Sequence, residues 1–460
     1  MGFISFADSL RLSRDEARKL ARQYINPGLV TMMGLLNFDK QFTKAQGVSV
    51  WDKDGREFLD FLGGYGALNL GHNPPEVIEA LQAVMERPNI LQVTINPFAA
   101  ALAANLAAVT PGDLERVFFC NSGTEAVEGA LKLARAYSRK PTILYMDGAF
   151  HGKTLGSLSV SGREKYRKPF QPLLSGCEQI PFGDAAALEK RLQQGDVAAV
   201  IVEPIQGENG IKVPPDGYLA TMRELCNKHE ALMIADEVQT GFGRTGKLFG
   251  CEHENVVPDI MCLAKSLSGS MVPIGAVIAR PTVWDKVYGG MENATLHTST
   301  FGGNTLACAA GLAALETIIN RRLPERTAEL GNYFLEQTRK LAERHPVIKE
   351  VRGRGLLIGI EFKEREGLAD RLTGGKLSEL AREYYGAMVA GSLLNDEQVI
   401  TVFTLNNPNV IRLEPPLIVT KEQIDQVLAA LDRALGKTGS LTKAALTTAK
   451  SMFSGLLKRN

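Results

Sequence analysis

Three short polar segments of the sequence carry residue types that could do chemistry, and each follows an apolar run that predicts a buried strand. The first runs from Asn121 to Glu125, the second begins at Asp236, and the third begins at Lys265. In this order they would supply a helix N-terminus with free backbone amides, a carboxylate and an amine. Such a helix start binds anions, and groups at the carboxyl ends of parallel strands face the crevice where α/β proteins bind ligands.

Each segment alone also has an ordinary structural explanation. Ser122 is a typical N-cap residue, an acidic pair after a strand often only begins a loop, and a lysine at a strand end is usually solvated. The combination is more specific, because a phosphate cradle, a carboxylate and a lysine are what pyridoxal phosphate requires. The lysine forms a Schiff base with it, the carboxylate keeps its pyridine nitrogen protonated, and the helix start binds its phosphate.

The elements that must position these groups predict an α/β fold. Between Leu114 and Arg280, short apolar runs alternate with helical periodicity, which predicts βαβ units and a mainly parallel sheet with helices on both faces. The helix after Asn121 has an apolar stripe formed by Val127, Ala130, Leu131 and Ala134. The predicted strands span Arg116–Cys120, Thr142–Met146, Val197–Val202, Leu232–Ala235, Ile260–Ala264 and Ile274–Ile278.

The chain is long enough for more than one domain. We predict a large cofactor-binding domain over residues 86–330 and a smaller α+β domain over residues 331–435, to which the N-terminal segment 1–85 contributes. Residues 436–460 are predicted to be a linker and a short basic amphipathic tail, to which we assign no function. For this tail, docking on the fold or disorder is favoured over membrane binding.

The overall charge argues against some classes of function. The 460 residues include 52 Lys and Arg against 51 Asp and Glu, so no net field would hold the protein on nucleic acid or on an anionic membrane. No segment has about 18 uninterrupted apolar residues, and the six cysteines form no CxxC pair. We therefore expect a soluble cytoplasmic protein with buried thiols, and neither a disulfide framework nor a metal site.

A glycine-rich stretch offers a competing interpretation. Residues Gly241 to Gly246 match GxGxxG and, with Lys247, nearly match a phosphate-binding P-loop. The dinucleotide motif needs a direct turn from strand to helix, but polar and small residues crowd the end of the preceding strand. Leu248 also replaces the Ser or Thr that a P-loop uses for magnesium. We therefore expect a loop that only turns the chain.

Several longer motifs occur in the order of a known family. They are Phe61–Gly66, Phe118–Glu125, Gly148–Lys153, Glu203–Glu208, Ala235–Gly241, Leu263–Lys265, Thr300–Asn304 and Ile411–Pro416. Through them the chain resembles, from about Asn26 to Leu435, the class III pyridoxal-phosphate aminotransferases of fold type I. Within that class it is most similar to the putrescine aminotransferases. The resemblance implies a large domain with a mainly parallel sheet and a smaller α+β domain.

The resemblance implies roles for the residues around the cofactor, pyridoxal 5'-phosphate. Lys265 would carry the Schiff base and shuttle protons, and Asp236 would pair with the ring nitrogen. Phe150 would stack on one face of the ring, and Val238 would pack on the other. Gln239 would reach the phenolic oxygen.

The resemblance also implies which residues bind the phosphate. Ser122, Gly123 and Thr124 would hold it from within one subunit, and Thr300 would reach the phosphate of the neighbouring subunit. The active site would then be a property of a homodimer, with the pairing of dimers into tetramers left open.

Glu208 and Arg412 match the family's switch pair. In that pair the arginine binds the α-carboxylate of glutamate or 2-oxoglutarate, and the glutamate neutralises the arginine otherwise. A surface or packing role for Glu208 is the alternative. The sequence departs from the family pattern near the predicted substrate entrance, at Ser268–Ser270, at Asn209 and over residues 399–410.

The resemblance implies an enzyme that moves a terminal amino group from an aliphatic diamine, such as putrescine, cadaverine or spermidine, to 2-oxoglutarate. The products would be an aminoaldehyde and glutamate, formed through a pyridoxamine form of the cofactor. The alternatives within the class are ornithine, acetylornithine and 4-aminobutyrate aminotransferases, whose donors carry a carboxylate. A binding or regulatory module on the same fold is disfavoured, because Lys265 and Asp236 are retained and no DNA-binding segment is fused.

Overall fold

The computed structural model describes residues 3–91, 93–363 and 376–437, so all but the first two positions of the predicted linker and tail lie outside it. Its strands are β1 (Phe42–Gln46), β2 (Ser49–Asp52), β3 (Glu57–Asp60), β4 (Arg116–Cys120), β5 (Thr142–Met146), β6 (Cys177–Ile180), β7 (Val197–Val202), β8 (Leu232–Asp236), β9 (Ile260–Leu263), β10 (Gly275–Ala279), β11 (Ile348–Arg354), β12 (Leu357–Phe362), β13 (Val399–Ile400) and β14 (Val410–Leu413).

Helices cover both faces of the large sheet, and others pack against the smaller sheets. The helices of the described residues are α1 (Phe6–Ser9), α2 (Arg14–Tyr24), α3 (Pro27–Leu35), α4 (Gly63–Gly66), α5 (Pro75–Ala83), α6 (Pro97–Val109), α7 (Gly123–Ser138), α8 (Leu155–Ser159), α9 (Glu164–Arg167), α10 (Ala185–Leu192), α11 (Tyr218–Lys228), α12 (Pro281–Tyr288), α13 (Thr305–Asn320), α14 (Leu323–Arg344), α15 (Lys376–Asp396) and α16 (421–437). Short 3-10 helices occur at Lys168–Phe170, Gly250–Glu254 and Lys265–Ser268.

The large sheet has seven strands in the order β4-β10-β9-β8-β7-β5-β6. The five strands from β9 to β6 in this order are parallel, whereas β10 is antiparallel to both of its neighbours, β9 and β4. This arrangement confirms the predicted α/β class with a mainly parallel sheet.

Alternate residues of the central strands face two different apolar cores, which explains why the strands are apolar on both faces. In β8, Met233 packs in the core that includes α13, whereas Leu232 and Ile234 pack in the core beneath α7. The predicted stripe of α7 is buried in that second core. Burial on both sides therefore holds the strand ends rigidly at the edge of the sheet.

The predicted strands agree closely with the observed ones. The bounds of β4, β5 and β7 are as predicted, and the other three differ by one residue at one or both ends. β6 is not predicted, because Cys177–Ile180 is short and buries only its last residue at the edge of the sheet. β6 therefore lacks the continuous apolar run that identifies the central strands.

Two smaller sheets complete the part of the fold that the structure describes. One contains β1, β2, β3 and β13, in which β13 runs parallel to β3 and joins distant parts of the chain. The other is the antiparallel sheet of β11, β12 and β14. The division into domains at residues 86, 331 and 436 stays a prediction. Among the described helices, none is long and apolar enough to cross a membrane.

The cysteines and the glycine-rich stretch test two minor expectations. All six cysteines are free thiols, and five are buried as predicted, but Cys177 on β6 is partly exposed. Residues 241–246 form a series of turns, as predicted. Within them, Arg244 is completely buried, and its guanidinium donates hydrogen bonds to the carbonyl oxygens of Leu356 and Pro415.

Helix α14 approaches the hairpin of β11 and β12 so closely that no side chain fits at Gly331. A Cβ there would lie 2.4 Å from the backbone carbonyl of Gly355. Gly331→Ala should therefore lower the free energy of unfolding by about 1 to 3 kcal/mol, although alanine favours a helix over glycine by about 1 kcal/mol. Thermal unfolding would measure the change. The matched control is Gly436→Ala in α16, where a Cβ meets nothing within 4 Å, and equal stability of the two variants would contradict the prediction.

Candidate active site

A cavity of about 450 Å³ lies at the carboxyl ends of the central strands. β8 ends at Asp236, β9 leads directly to Lys265, and β4 leads into the start of α7. Because these strands point the same way, their ends meet at one edge of the sheet. The structure thus brings together the three polar segments that the sequence predicts. The predicted residues that line the cavity are Ser122, Gly123, Thr124, Phe150, Asp236, Val238, Gln239 and Lys265.

The start of α7 is both a capped helix end and a wall of the cavity. Ser122 Oγ accepts a hydrogen bond from the backbone N–H of Glu125 at 3.3 Å, so the capping explanation is correct. The first amides of a helix still lack acceptors within it, which leaves them for an anion. Gly123 has a packing reason as well, since a Cβ there would lie 2.8 Å from Val238. The role of these residues in phosphate binding stays a prediction.

A cluster of hydroxyl groups lies behind this wall. Thr124 Oγ1 lies 2.8 Å from Thr154 Oγ1 and 2.6 Å from Ser157 Oγ. Thr154 and Ser157 were not singled out from the sequence, because they belong to a separate helix start. Of these three residues, Thr124 lines the cavity, whereas Thr154 Oγ1 donates to Glu128 Oε1 at 2.5 Å. The cluster therefore positions the Thr124 hydroxyl at the start of α7, where a phosphate could bind it.

Asp236 is fixed by two hydrogen bonds. Its Oδ2 lies 2.6 Å from His151 Nδ1, and its Oδ1 accepts from the backbone N–H of Val238 at 3.1 Å. Burial works against protonation of His151, but the hydrogen bond and charge of Asp236 outweigh it and raise the pKa of His151 above its usual value. The Asp236 carboxylate is therefore held next to a group that stabilises its negative charge.

Lys265 occupies an unusual backbone conformation at the end of β9. Its φ is +49°, in the left-handed region that residues other than glycine rarely adopt, and such strain is often found at functional sites. Burial lowers the pKa of its amine, and the nearby carboxylates of Glu414 and Glu208 oppose this effect. A lowered pKa leaves more of the amine unprotonated and able to act as a nucleophile.

Glu203 connects two loops of the site. Its Oε1 accepts from the backbone N–H of Phe150 at 2.9 Å, and its Oε2 accepts from that of Gly207 at 3.2 Å. Burial raises the pKa of Glu203 to about 7, with His151 opposing the shift. This buried carboxylate thus holds both the loop of the predicted ring-stacking residue and the loop that continues to Glu208.

Gln239 faces a second carboxylate. Its Nε2 donates to both oxygens of Glu414 at 3.1 Å and approaches the carbonyl oxygen of Tyr65 at 3.3 Å. The predicted contact between Gln239 and the phenolic oxygen of the cofactor stays a prediction. Glu414 lies in the Ile411–Pro416 motif, but nothing in its own sequence neighbourhood points to Gln239.

Glu208 and Arg412 form a buried ion pair just beyond the cavity wall. Glu208 Oε2 lies 2.6 Å from Arg412 Nη2 and also accepts from the backbone N–H of Leu405 at 2.7 Å. Burial opposes ionisation of Glu208, but the charge of Arg412 lowers the pKa of Glu208 below its ordinary value. The contact excludes a surface role for Glu208, and it shows that the segment 399–410 touches the predicted switch.

Two further predicted features differ in whether they line the cavity. Thr300 is exposed and does not line the cavity of its own subunit, so its reach to a neighbouring subunit stays a prediction. Ser268 and Ser270, where the sequence departs from the family pattern, do line the cavity. That departure therefore alters the wall of the site itself.

The groups around the cavity fit pyridoxal phosphate. An anion-binding helix start, a carboxylate paired with His151 and an amine of lowered pKa surround one space, and Phe150 and Val238 line it as well. A phosphorylated pyridine aldehyde needs each of these groups. His151 and Glu203, which were missed as site residues, directly follow Phe150 and β7, and this proximity was the available signal.

Comparisons with known proteins agree with this fit. A profile described as "Aminotransferase class-III" matches residues 35–435. The chain is 40% identical over 465 residues to Aminotransferase PigE of Serratia sp. (strain ATCC 39006), covering 93% of this chain and 54% of that protein. The chain therefore spans about half the length of this curated relative.

Solved structures are similar over nearly the whole chain. The ornithine aminotransferase from Toxoplasma gondii ME49 has a TM-score of 0.82 and 33% identity, with 95% of this chain and 98% of that chain covered. Another structure of the Toxoplasma gondii protein has partial occupancy of PLP at its active site. The acetylornithine aminotransferase from Elizabethkingia anophelis has a TM-score of 0.74 and 32% identity, covering 93% and 100% of the two chains.

Glu203→Gln should change how stability depends on pH. Because the pKa of Glu203 is about 7 against an ordinary 4.5, the folded protein keeps a proton that the unfolded chain has already released. The contribution of this group to stability therefore falls as the pH rises from about 4.5 to about 7. Gln cannot ionise, so the variant does not lose this contribution. The unfolding free energy of Glu203→Gln minus that of the native protein should therefore increase by about 1 to 3 kcal/mol between pH 5 and pH 8.

Denaturant unfolding of both proteins across this pH range would measure the difference. The control is Glu343→Gln, which changes an exposed carboxylate of α14. A difference between Glu203→Gln and the native protein that is constant with pH would contradict the assignment of a raised pKa.

Proposed function

The chain belongs to the class III aminotransferases, and from this membership we propose that it moves a terminal amino group from an aliphatic diamine such as putrescine to 2-oxoglutarate. The cofactor is pyridoxal 5'-phosphate. The products of the proposed reaction are an aminoaldehyde and glutamate. The observation that supports this choice of substrates is the buried ion pair of Glu208 and Arg412.

The two proposed substrates make opposite demands on Arg412. A diamine has no carboxylate, so Arg412 would be a buried cation without a partner, at a cost of several kcal/mol, unless Glu208 pairs with it. 2-Oxoglutarate has two carboxylates, and one of them offers a bidentate partner to the guanidinium. Glu208 can then move aside, because its side chain is already 10% exposed. One pocket thereby accepts both substrates.

The other residues of the site have separate tasks in the proposed reaction. When bound, the cofactor supplies the aldehyde and the electron-accepting ring that make amino transfer possible. Lys265 Nζ would move protons in both half-reactions: it would take one from the amine-bearing carbon of the donor and pass it to the cofactor, and in the second half-reaction it would deliver one to the keto carbon of the acceptor. Asp236, held by His151, would keep the ring nitrogen protonated. Phe150 and Val238 would hold the ring between them.

A donor with a carboxylate is the second candidate. It is favoured by the similarity to solved ornithine and acetylornithine aminotransferases. Such a donor would pair its own carboxylate with Arg412, as the keto acid does. The number of carboxylates on the donor therefore separates the two candidates.

We also propose a homodimer as the working unit and a cytoplasmic location. Thr300 is exposed and lies outside the lining of the cavity in its own subunit, and the proposed dimer would give it a role at the phosphate of the neighbouring subunit. Paired subunits of this kind are the commonest soluble assembly.

With 2-oxoglutarate as acceptor, putrescine should be a better donor than ornithine by roughly tenfold in kcat/KM, which is about 1.4 kcal/mol. The comparison requires identification of the aldehyde product by mass spectrometry. Lys265→Ala provides the blank, since loss of the amine should abolish turnover of both donors. Faster turnover of ornithine than of putrescine would contradict the diamine proposal and support a donor with a carboxylate.

Substitutions of the ion pair should affect the two half-reactions in opposite ways. Arg412→Ala should slow the half-reaction with 2-oxoglutarate most, by on the order of a hundredfold, because the keto acid loses its bidentate partner. Glu208→Ala should slow the diamine half-reaction and spare or improve the reaction with glutamate. Single-turnover measurements of cofactor absorbance would follow each half-reaction separately. Equal losses in both half-reactions would mean that the pair only supports the fold.

A further inference from the structure

Four buried charged side chains lie together beside the cavity, and Glu414 is at their centre. Its Oε2 lies 3.5 Å from Arg412 Nη1, and its Oε1 lies 3.9 Å from Arg244 Nε. The fourth member is Glu208, which holds the other side of the Arg412 guanidinium. Two carboxylates therefore balance two guanidinium groups in a part of the protein that water hardly reaches.

The two carboxylates differ in their freedom to move. The side chain of Glu208 is 10% exposed, whereas that of Glu414 is completely buried. The backbone of α4 closes over Glu414, since a Cβ on Gly66 would lie 2.5 Å from its Oε1. Gln239 also donates to both of its oxygens. In the proposed switch, Glu208 would leave Arg412 when a substrate carboxylate arrives, whereas the closely packed Glu414 would stay.

We propose that Glu414 is a specificity-determining residue, which weakens the binding of carboxylates at Arg412 and so favours amino donors that have none. This inference rests on the proposed role of the Glu208–Arg412 pair. When Glu208 moves aside, an arriving carboxylate meets a guanidinium that still has a fixed anion 3.5 Å away. Glu414 and the substrate carboxylate are both negatively charged and repel each other, and the repulsion is strong because the site is poorly solvated.

Arg244 is a second buried cation beside Glu414, and it offsets part of this charge without changing the direction of the effect. Its Nη1 donates to the carbonyl oxygens of Leu356 and Pro415, and its Nη2 donates to Asn69 Oδ1 at 2.5 Å. Only its Nε faces Glu414, at a longer distance than the contact between Glu414 and Arg412. The charge of Glu414 still reaches the cavity side, because burial lowers the pKa of Lys265 and Glu414 opposes that lowering.

The test measures the affinity of the loaded enzyme for glutarate, a dicarboxylate that has no keto group and cannot react. Cofactor absorbance would follow the titration. Glu414→Gln removes the charge and keeps the size of the side chain, so it should bind glutarate tighter by on the order of tenfold. The matched control is Glu237→Gln, which changes another completely buried glutamate, one that accepts from the backbone amides of Gly250 and Cys251 at 2.8 Å.

The control should bind glutarate as the native enzyme does. An unchanged affinity in Glu414→Gln, or equal tightening in both variants, would overturn the proposal. If Glu414→Gln does not fold, Glu414→Ala makes the same loss of charge and is subject to the same criterion. Glutarate binding needs no amino donor, so a native enzyme that does not use putrescine would refute the proposed function and leave this test intact.

A second readout distinguishes charge from structure. Without Glu414, the pKa of Lys265 should fall further, because the carboxylate that raises it is gone. The Lys265 amine is free in the half-reaction that begins with 2-oxoglutarate, so at saturating keto acid the acidic limb of that pH profile should move to lower pH in Glu414→Gln and stay in place in Glu237→Gln. A purely structural role would leave this limb unchanged.

Discussion

The hydrogen-bond register between β8 and β9 is the constraint on which the whole site depends. It pairs Asp236 with Cys262 and so sets a carboxylate beside the strand that leads to Lys265. Side chains alternate along a strand, so a slip of one residue would turn Asp236 away from the site and bring an apolar neighbour in its place. The register is held in turn by the apolar residues of β8, which are buried in two cores. Tight packing of buried apolar residues therefore positions the polar residues of the site.

Charged side chains that are buried in such a site need partners of opposite charge or hydrogen-bond partners, and these partners set the chemical properties of each charge. Asp236 has His151, Glu203 has two backbone amides, and Arg412 has two carboxylates. An isolated buried charge is unfavourable by several kcal/mol, so each pairing is a condition for folding as well as for chemistry. The same contacts raise the pKa of His151 and lower that of Glu208. Stability and reactivity thus have a common origin in this part of the molecule.

The sequence predicts those parts of the structure that are encoded locally. A continuous apolar run followed by a polar residue identifies β8 with Asp236 and β9 with Lys265, and small polar residues identify the start of α7. Contacts between distant segments have no such pattern: His151 is 85 residues from Asp236, and Gln239 is 175 residues from Glu414. β6 was missed for a related reason, since an edge strand buries too few residues to form an apolar run. One sequence therefore predicts the strand ends but not the side chains that meet across them.

The parallel pairing of β13 with β3 has a consequence for biosynthesis. Leu59 and Phe61 donate backbone hydrogen bonds to Gln398 and Ile400, and Phe61 in turn accepts one from Glu414. β3 leaves the ribosome roughly 340 residues before these partners, which at ordinary rates of translation is on the order of half a minute. During that interval this edge of β3 is unpaired and open to association with other chains. The large sheet can form first, whereas the side of the pocket that carries Arg412 is completed only when the last part of the chain arrives.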